Sequence, residues 1–386
     1  MKVSCLQENL ARALNVVGRA VASRSTTYPI LTHVLLATDN GRLKVAATNL
    51  ETGITCWIGA KVEGEGAITV PARTFTDLIA LLPPDKIDLE VNVRTQSLHI
   101  RSGRTDANLK GVDAQEFPII PSFAPDAAMA FIEAGALKKL VSQVSFAAST
   151  DENRPSLTGV LTKIEDSRVT MVATDGFRLS LRSSTLKDQA TLPENAPPLL
   201  IPARAVTEVA RVLGDQEKPV AVSFTPSHNQ VIFHGENIDV VAQLIEHKFP
   251  QYESIIPRKY DTRTVVNTAE FLKACRQASI FARESADAVR LTIKPGEDPL
   301  PGQLLVAARA DQTGENLIQL EALISGNALE IGFNVRYLIE VLSVIDAPQV
   351  ALETTGATSP AVIRAVGDDQ FLHLIMPMNL AKTQPA

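Results

Sequence analysis

The segment ITVPARTFTDLIALLP, residues 68–83, decides the architecture, because versions of it occur three times in the chain. LLIPARAVTEVARVLG occupies residues 199–214 and EIGFNVRYLIEVLSVI occupies residues 330–345. Setting Pro71-Ala72-Arg73 on Pro202-Ala203-Arg204 and on Phe333-Asn334-Val335 gives an offset of 131 both times. In the first copy a helix over about 72–82 starts after Pro71, turns Phe75, Leu78, Ile79 and Leu82 toward a core, and stops before Pro83-Pro84. Proline lacks the N–H and the backbone freedom to continue a helix.

Two further sets of matches keep the same order. Val45-Ala46-Ala47-Thr48 aligns with Val172-Ala173-Thr174-Asp175 and, more weakly, with Val306-Ala307-Ala308-Arg309. Phe117-Pro118, Phe249-Pro250 and Met376-Pro377 close the three units. Three ordered signals divide the 386 residues into domains 1–125, 126–257 and 258–386. Ahead of the first copy, Leu6, Leu10, Leu14, Val17 and Val21 recur at helical spacing and predict one apolar stripe. Strands over Leu35–Thr38 and Leu43–Ala47 flank Asp39-Asn40-Gly41, and Asn-Gly suits a tight turn that needs positive φ. Each unit thus reads as two helices and about eight strands: an α+β fold with helices on one face of mostly antiparallel sheet.

The polar faces of those helices carry a pattern of their own. Arg12 and Arg19 lie seven apart, as do Arg204 and Arg211; Arg73, Lys138, Lys139, Lys273, Arg276 and Arg336 supply the rest. That makes ten basic residues on six helices against five acidic ones, Glu8, Asp77, Glu208, Glu270 and Glu340. The whole chain has a net charge of −6, so positive charge is concentrated on the helices. By domain the balance is 13 basic to 12 acidic, 12 to 16 and 12 to 15. No domain is a basic module that grips nucleic acid by bulk charge.

Catalytic and metal motifs are missing. The chain lacks a phosphate loop, a zinc-protease His-Glu-x-x-His and a Gly-x-Ser-x-Gly elbow. The histidines at 33, 99, 228, 234, 247 and 373 are scattered, and His228 and His234 read as hairpin residues flanking a strand. Three distant cysteines, Cys5, Cys56 and Cys275, argue against a disulfide framework and favour a reducing cytoplasm. No apolar run approaches the ~18 residues of a membrane span. The expectation is a binding protein without metal or cofactor.

Two segments stand apart from ordinary surface: Thr174-Asp175-Gly176-Phe177-Arg178-Leu179, and the terminal Leu374-Ile375-Met376-Pro377-Met378-Asn379-Leu380. Together with the repeated PAR segments, KFPQYESIIP at 248–257 and IGFNVRYL at 331–338, they resemble the bacterial sliding clamps, the beta subunits of DNA polymerase III. The resemblance runs from Met1 to Leu380. It implies three similar domains in a crescent and two crescents closed head to tail around duplex DNA, with helices lining the hole. Twelve helices spaced ~10 Å apart would make a circle ~38 Å across and leave a hole of ~28 Å.

The resemblance also implies a peptide-binding cleft between the second and third domains. Its residues would be Leu157, Thr174, Gly176, Phe177, Arg178, Leu179, Pro250, Ile255, Asn334, Tyr337, Met376, Pro377, Met378 and Leu380. Apolar pockets would take the hydrophobic anchors of the peptide while Arg178 orients it. The implied partners are the DNA polymerase III catalytic subunit, the clamp loader, and other polymerases and repair proteins that carry such peptides. Ser254, Phe177 and Asn379 depart from the familiar pattern, which puts the preferred peptide in question. At the ring junction, Ala107 and Leu109 would face Ile280 and Phe281, with edge strands around 104–110 and 315–323 pairing across it. Ala107 is smaller than the usual apolar residue there, and the tail Ala381–Ala386 extends past the usual terminus. Arg24 and Arg154 sit in loops resembling those that touch DNA. Two other classes stay open: a repeat-built transferase of the inside-out α/β-barrel type, and a clamp-like scaffold that is not loaded on DNA.

Overall fold

The computed structural model describes residues 1–23, 27–124, 128–186, 190, 198–225, 227–297, 300–310 and 312–379. Among these are six α-helices: α1 (Gln7–Val17), α2 (Ala72–Leu81), α3 (Ala134–Val144), α4 (Ala203–Leu213), α5 (Thr268–Ala282) and α6 (Val335–Ser343). Among the described residues two helices and eight strands fall in each sequence repeat, and every strand pairing described is antiparallel.

The repeated segment folds alike each time. Strands Ala67–Pro71, Leu199–Pro202 and Leu329–Asn334 lead directly into α2, α4 and α6. Periodicity then decides what is buried: Ala72, Phe75 and Ile79 in α2, Val206, Val209 and Leu213 in α4, Val335, Leu338 and Leu342 in α6. Leu82 is buried just past α2, whereas Leu78 is only half-buried. In the Asn-Gly hairpin both central residues have positive φ, 48° at Asn40 and 74° at Gly41, as that turn requires.

The first helix is shorter than its apolar spacing predicts. Leu10, Leu14 and Val17 form the buried stripe, but Leu6 ends the strand Lys2–Leu6 and is 57% exposed. Period-two alternation governs there, with Val3 and Cys5 inward and Leu6 outward. After Val17 the chain tightens into a 3₁₀ turn, Gly18–Ala20, so Arg19 and Val21 lie beyond the helix.

By contact density the chain divides into two compact units. One comprises Met1–Lys138, Leu186–Ala196 and Arg204–Glu246; the other comprises Lys139–Thr185, Pro197–Ala203 and His247–Ala386. In the first, a 12-stranded arrangement joins the first repeat to four strands of the middle repeat, where Thr52–Cys56 pair with Ile238–Ala242. In the second, the other four strands of the middle repeat continue into the third, where Arg178–Arg182 pair with Phe371–Ile375. Phe271, Cys275, Leu291, Phe333, Leu338 and Phe371 meet in the core of the third repeat.

Candidate functional site

The Thr174–Arg178 turn is built by side chains of its own. Thr174 Oγ1 donates to the Arg178 carbonyl at 2.6 Å and accepts from the Gly176 amide at 3.1 Å. Asp175 Oδ1 accepts from the amides of Phe177 and Arg178 at 2.9 and 3.0 Å, and Gly176 takes a φ of 95°, where a side chain would be strained. The turn therefore presents Phe177 outward, 58% exposed, and sends Leu179 into the core.

The terminal segment is tied to this turn and to the third repeat at once. The Met376 amide donates to the Phe177 carbonyl at 2.8 Å, and the Met378 amide donates to the Gly332 carbonyl at 2.8 Å. Two residues past Gly332, Asn334 caps α6 by accepting from the Arg336 amide at 2.9 Å. Phe177, Met376, Pro377, Met378, Asn334 and Tyr337 are thereby drawn around one stretch of backbone. Leu157 belongs to a short 3₁₀ turn whose Arg154 donates to the Asp175 carbonyl at 3.2 Å. Pro250 and Ile255 are exposed, and their linker is held to strand Gly159–Glu165: Lys163 bonds Glu253 at 2.8 Å and lies 5.0 Å over the buried Tyr252 ring. Leu380 lies outside the described residues.

Arg178 is largely enclosed by its own chain. It is 8% exposed. Its Nε donates to Asp175 Oδ2 at 3.1 Å, Nη1 to Glu340, and Nη2 to the Phe146 carbonyl at 2.9 Å. The guanidinium lies 4.4 Å from the Tyr337 ring and 5.4 Å from the Phe146 ring. On the same side of its strand, two and four residues on, Ser180 bonds His373 Nδ1 at 2.6 Å and Arg182 bonds Asp368 at 2.9 Å and Gln143 at 2.5 Å. Burial, with the Arg178 charge behind it, pushes the His373 imidazole down to about 3. Burial would raise the Asp368 carboxyl, but hydrogen bonds from Arg182 and the Gln370 amide, with the Arg182 and Lys139 charges, hold it below its usual range.

The same turn occurs in the first repeat, one residue away from where the sequence alignment puts it. Thr48 Oγ1 donates to the Thr52 carbonyl, Asn49 Oδ1 accepts from the Glu51 and Thr52 amides, and the Gln243 amide donates to the Glu51 carbonyl. Thr48 is thus the counterpart of Thr174, which corrects the sequence alignment of Thr48 with Asp175 by one residue. A slip of one inverts every side chain of a strand.

The basic residues fall into two groups. Arg19 and Arg211 share Glu208 at 3.2 and 2.9 Å; Arg73 pairs with Asp77, Lys138 with Asp215, Lys139 with Asp368, Arg154 with Asp151 and Arg336 with Asp287. Arg12, Arg204, Lys273 and Arg276 are exposed and have no ion-pair partner among the described residues. With Arg19 off the helix, the six helices carry nine basic and five acidic residues, one positive charge fewer than expected. Arg24 lies outside the described residues. Ala107 and Leu109 are half-buried on the terminal strand Thr105–Lys110 of the first sheet. Ile280 is 62% exposed and Phe281 half-buried near the end of α5. Strand Gly314–Ser325 is not wholly an edge: strand Gly302–Ala310 borders one side, and Leu323–Ser325 also pair with Arg263–Val265. Only the stretch before Leu323 has an open side among the described residues.

His234 lies in strand Gln230–Gly235, not beside it; it bonds the buried Asp239 at 2.6 Å and stacks on Phe123. No group of three or more His, Cys, Asp or Glu among the described residues is placed to hold a metal ion. No helix there is long and apolar enough to cross a membrane.

A triplicated α+β chain with two helices in every repeat defines a three-domain DNA clamp. Family models agree along its length: DNA polymerase III beta subunit, N-terminal domain at residues 1–121, central domain at 131–251 and C-terminal domain at 253–379. The chain belongs to the DNA polymerase III beta subunit family. It is 33% identical to the beta sliding clamp of Bacillus subtilis, covering 98% of this chain and 99% of that one. The clamp of Synechococcus elongatus is 32% identical, with 98% and 100% covered. Among solved structures, the Bacillus subtilis clamp superposes with a TM-score of 0.90 at 31% identity over 99% and 100% of the two chains. A Pseudomonas aeruginosa clamp bound to griselimycin gives 0.88 at 28%, over 98% and 100%. The chain is accordingly a DNA sliding clamp, a processivity factor and not a catalyst.

Proposed function

We propose that two copies close head to tail into a ring around duplex DNA without reading its sequence, and that each copy tethers replication proteins through a peptide cleft. Three domains, 1–125, 126–257 and 258–386, make each half of the ring. The observation that carries this reading is charge placement: helices with nine basic and five acidic residues in a chain of net charge −6. Such a face attracts phosphates weakly, which suits a protein that slides rather than one that clings. DNA would meet the helix residues, Arg12, Arg73, Lys138, Lys139, Arg204, Arg211, Lys273, Arg276 and Arg336, together with Arg19, Arg154 and Arg24. The ring junction sets Ala107 and Leu109 of one copy against Ile280 and Phe281 of the other. It pairs strand Thr105–Lys110 with the open side of Gly314–Ala322, covering two edges that otherwise invite aggregation.

The cleft comprises the residues gathered around Phe177 and Met376, with Leu157, Pro250 and Ile255 on its flank. It receives peptides of the polymerase III catalytic subunit, the clamp loader, and other polymerases and repair proteins. The site of action is the cytoplasm, away from membranes. Loading onto nicked circular DNA followed by linearisation tests the ring. Salt-tolerant retention on circles that is lost on linearisation is expected, and equal loss from circles and linear DNA refutes it. Met376→Ala tests the cleft: polymerase stimulation should vanish while the dimer persists, and unchanged peptide affinity sinks the assignment.

A further inference from the structure

We propose that Arg178 is a positioning residue of the peptide cleft, one that fixes Tyr337 and α6 against the Thr174–Arg178 turn and does not itself read the peptide. The inference rests on the cleft reading above and assigns one residue within it a different part.

All three guanidinium nitrogens are engaged and two aromatic rings lie close to its carbon. Three of its nitrogens donate, to Asp175, to Glu340 and to the Phe146 carbonyl. One face lies toward Tyr337 at 4.4 Å and Phe146 is 5.4 Å away. With 8% of the side chain exposed, an arriving peptide meets the Phe177 and Tyr337 rings before it meets Arg178. The groups that Arg178 joins come from three places in the chain: the turn itself, the 3₁₀ turn Ser145–Ala147 after α3, and α6. Tyr337 and Glu340 are three apart on α6, hence neighbours on one helix face. A residue bonded to one and stacked on the other fixes both the rotation of the helix and the tilt of the ring.

The first repeat supplies the comparison. Its turn has the same hydrogen bonds, yet Thr52 stands where Arg178 does, and Ile54 and Cys56 stand where Ser180 and Arg182 do. Glu51 replaces the exposed Phe177. The turn therefore folds without an arginine, and the buried charge accompanies the cleft rather than the fold. A buried guanidinium costs desolvation that only well-made partners offset. Lysine cannot substitute, because a point charge lacks the planar fork and the stacking face.

The test uses the full-length protein and a fluorescein-labelled pentapeptide with two large apolar anchors, made with either glutamine, as a hydrogen-bonding probe, or alanine at a third position. Affinity is read by polarisation, and the Tyr337 ring by ¹³C-labelled tyrosine NMR, which Tyr337→Ala assigns among four tyrosines. Arg178→Lys should weaken both peptides equally, by roughly tenfold, the scale of a lost desolvated stacking contact. It should also shift the Tyr337 resonance before any peptide is added. Glu340→Gln, which keeps an acceptor oxygen, should shift the same resonance less and weaken binding less. Affinities within about twofold of the parent in both variants overturn the inference. So does a loss confined to the glutamine peptide, which means direct contact. Unchanged binding in Tyr337→Ala instead refutes the cleft reading on which it rests.

Discussion

Ile120 lies over Gly53: a Cβ added at Gly53 would stand 3.0 Å from Ile120 Cγ2. At the matching place after the other turn, Leu179 supplies its own side chain and is fully buried. The linkers explain the exchange. Phe117-Pro118-Ile119-Ile120-Pro121 is short, whereas Phe249-Pro250 and Ile255-Ile256-Pro257 are separated by Gln251-Tyr252-Glu253-Ser254. The short linker folds down onto glycine and leaves only about 60 Å³ open beside Thr48 and Leu50. Gly53→Leu should therefore overpack the site and cost about 1–3 kcal/mol. Ile120→Ala in that background should restore most of it. Denaturant midpoints of the parent and the two variants check this, and equal midpoints for Gly53→Leu and the double variant contradict it.

His373 makes acid stability a test of the buried polar row. In the folded protein its imidazole is pushed down to about 3, while the unfolded group titrates near ~6.5. As pH falls below that value the unfolded chain binds a proton that the folded chain refuses, so stability falls. The slope is at most about 1.4 kcal/mol per pH unit and flattens once the folded group protonates. His373→Gln should lack this component between pH ~6.5 and ~3. Parallel stability curves for parent and variant across that window would contradict the assignment.

Arg12, Arg204, Lys273 and Arg276, without an ion-pair partner among the described residues, should matter more for DNA than the paired basic residues. Arg276 and Lys273 are free to meet phosphate, whereas Lys138 must first leave Asp215, 2.6 Å away. On short linear duplex, Arg276→Ala should lower the slope of log affinity against log salt by about 0.9 if it neutralises one phosphate. Lys138→Ala should lower it less. The reverse order would place the DNA on a different face.

How much of this was legible in the sequence depends on distance along the chain. The strand-to-helix segment was legible because Pro71, the apolar period and Pro83 all act within one turn of their own positions. The Thr174–Arg178 turn was recognisable as a turn, but its side-chain bonds leave no periodic trace, and the first-repeat copy was aligned one residue off. The setting of Arg178 was beyond reach: its partners Phe146 and Glu340 lie 32 and 162 residues away, and neither stands out by type. The extent of α1 was misjudged for a different reason. Leu6 and Val21 continue a helical spacing by coincidence, while strand alternation and a 3₁₀ turn claim them.

Ala107 decides how firmly the proposed ring holds. It lies between half-buried Thr105 and Leu109 on a strand whose neighbour presents buried Leu98 and Ile100. Mass in solution should be twice 41.6 kDa at micromolar concentration. Leu109→Asp places a charge in the apolar row and should give 41.6 kDa with an unaltered circular dichroism spectrum. Ala107→Leu adds about three carbons at each of two junctions, at roughly 0.8 kcal/mol per buried CH₂. Dimer dissociation on dilution should move to concentrations at least about tenfold lower. A mass that neither substitution moves would show that strand Thr105–Lys110 is not the junction.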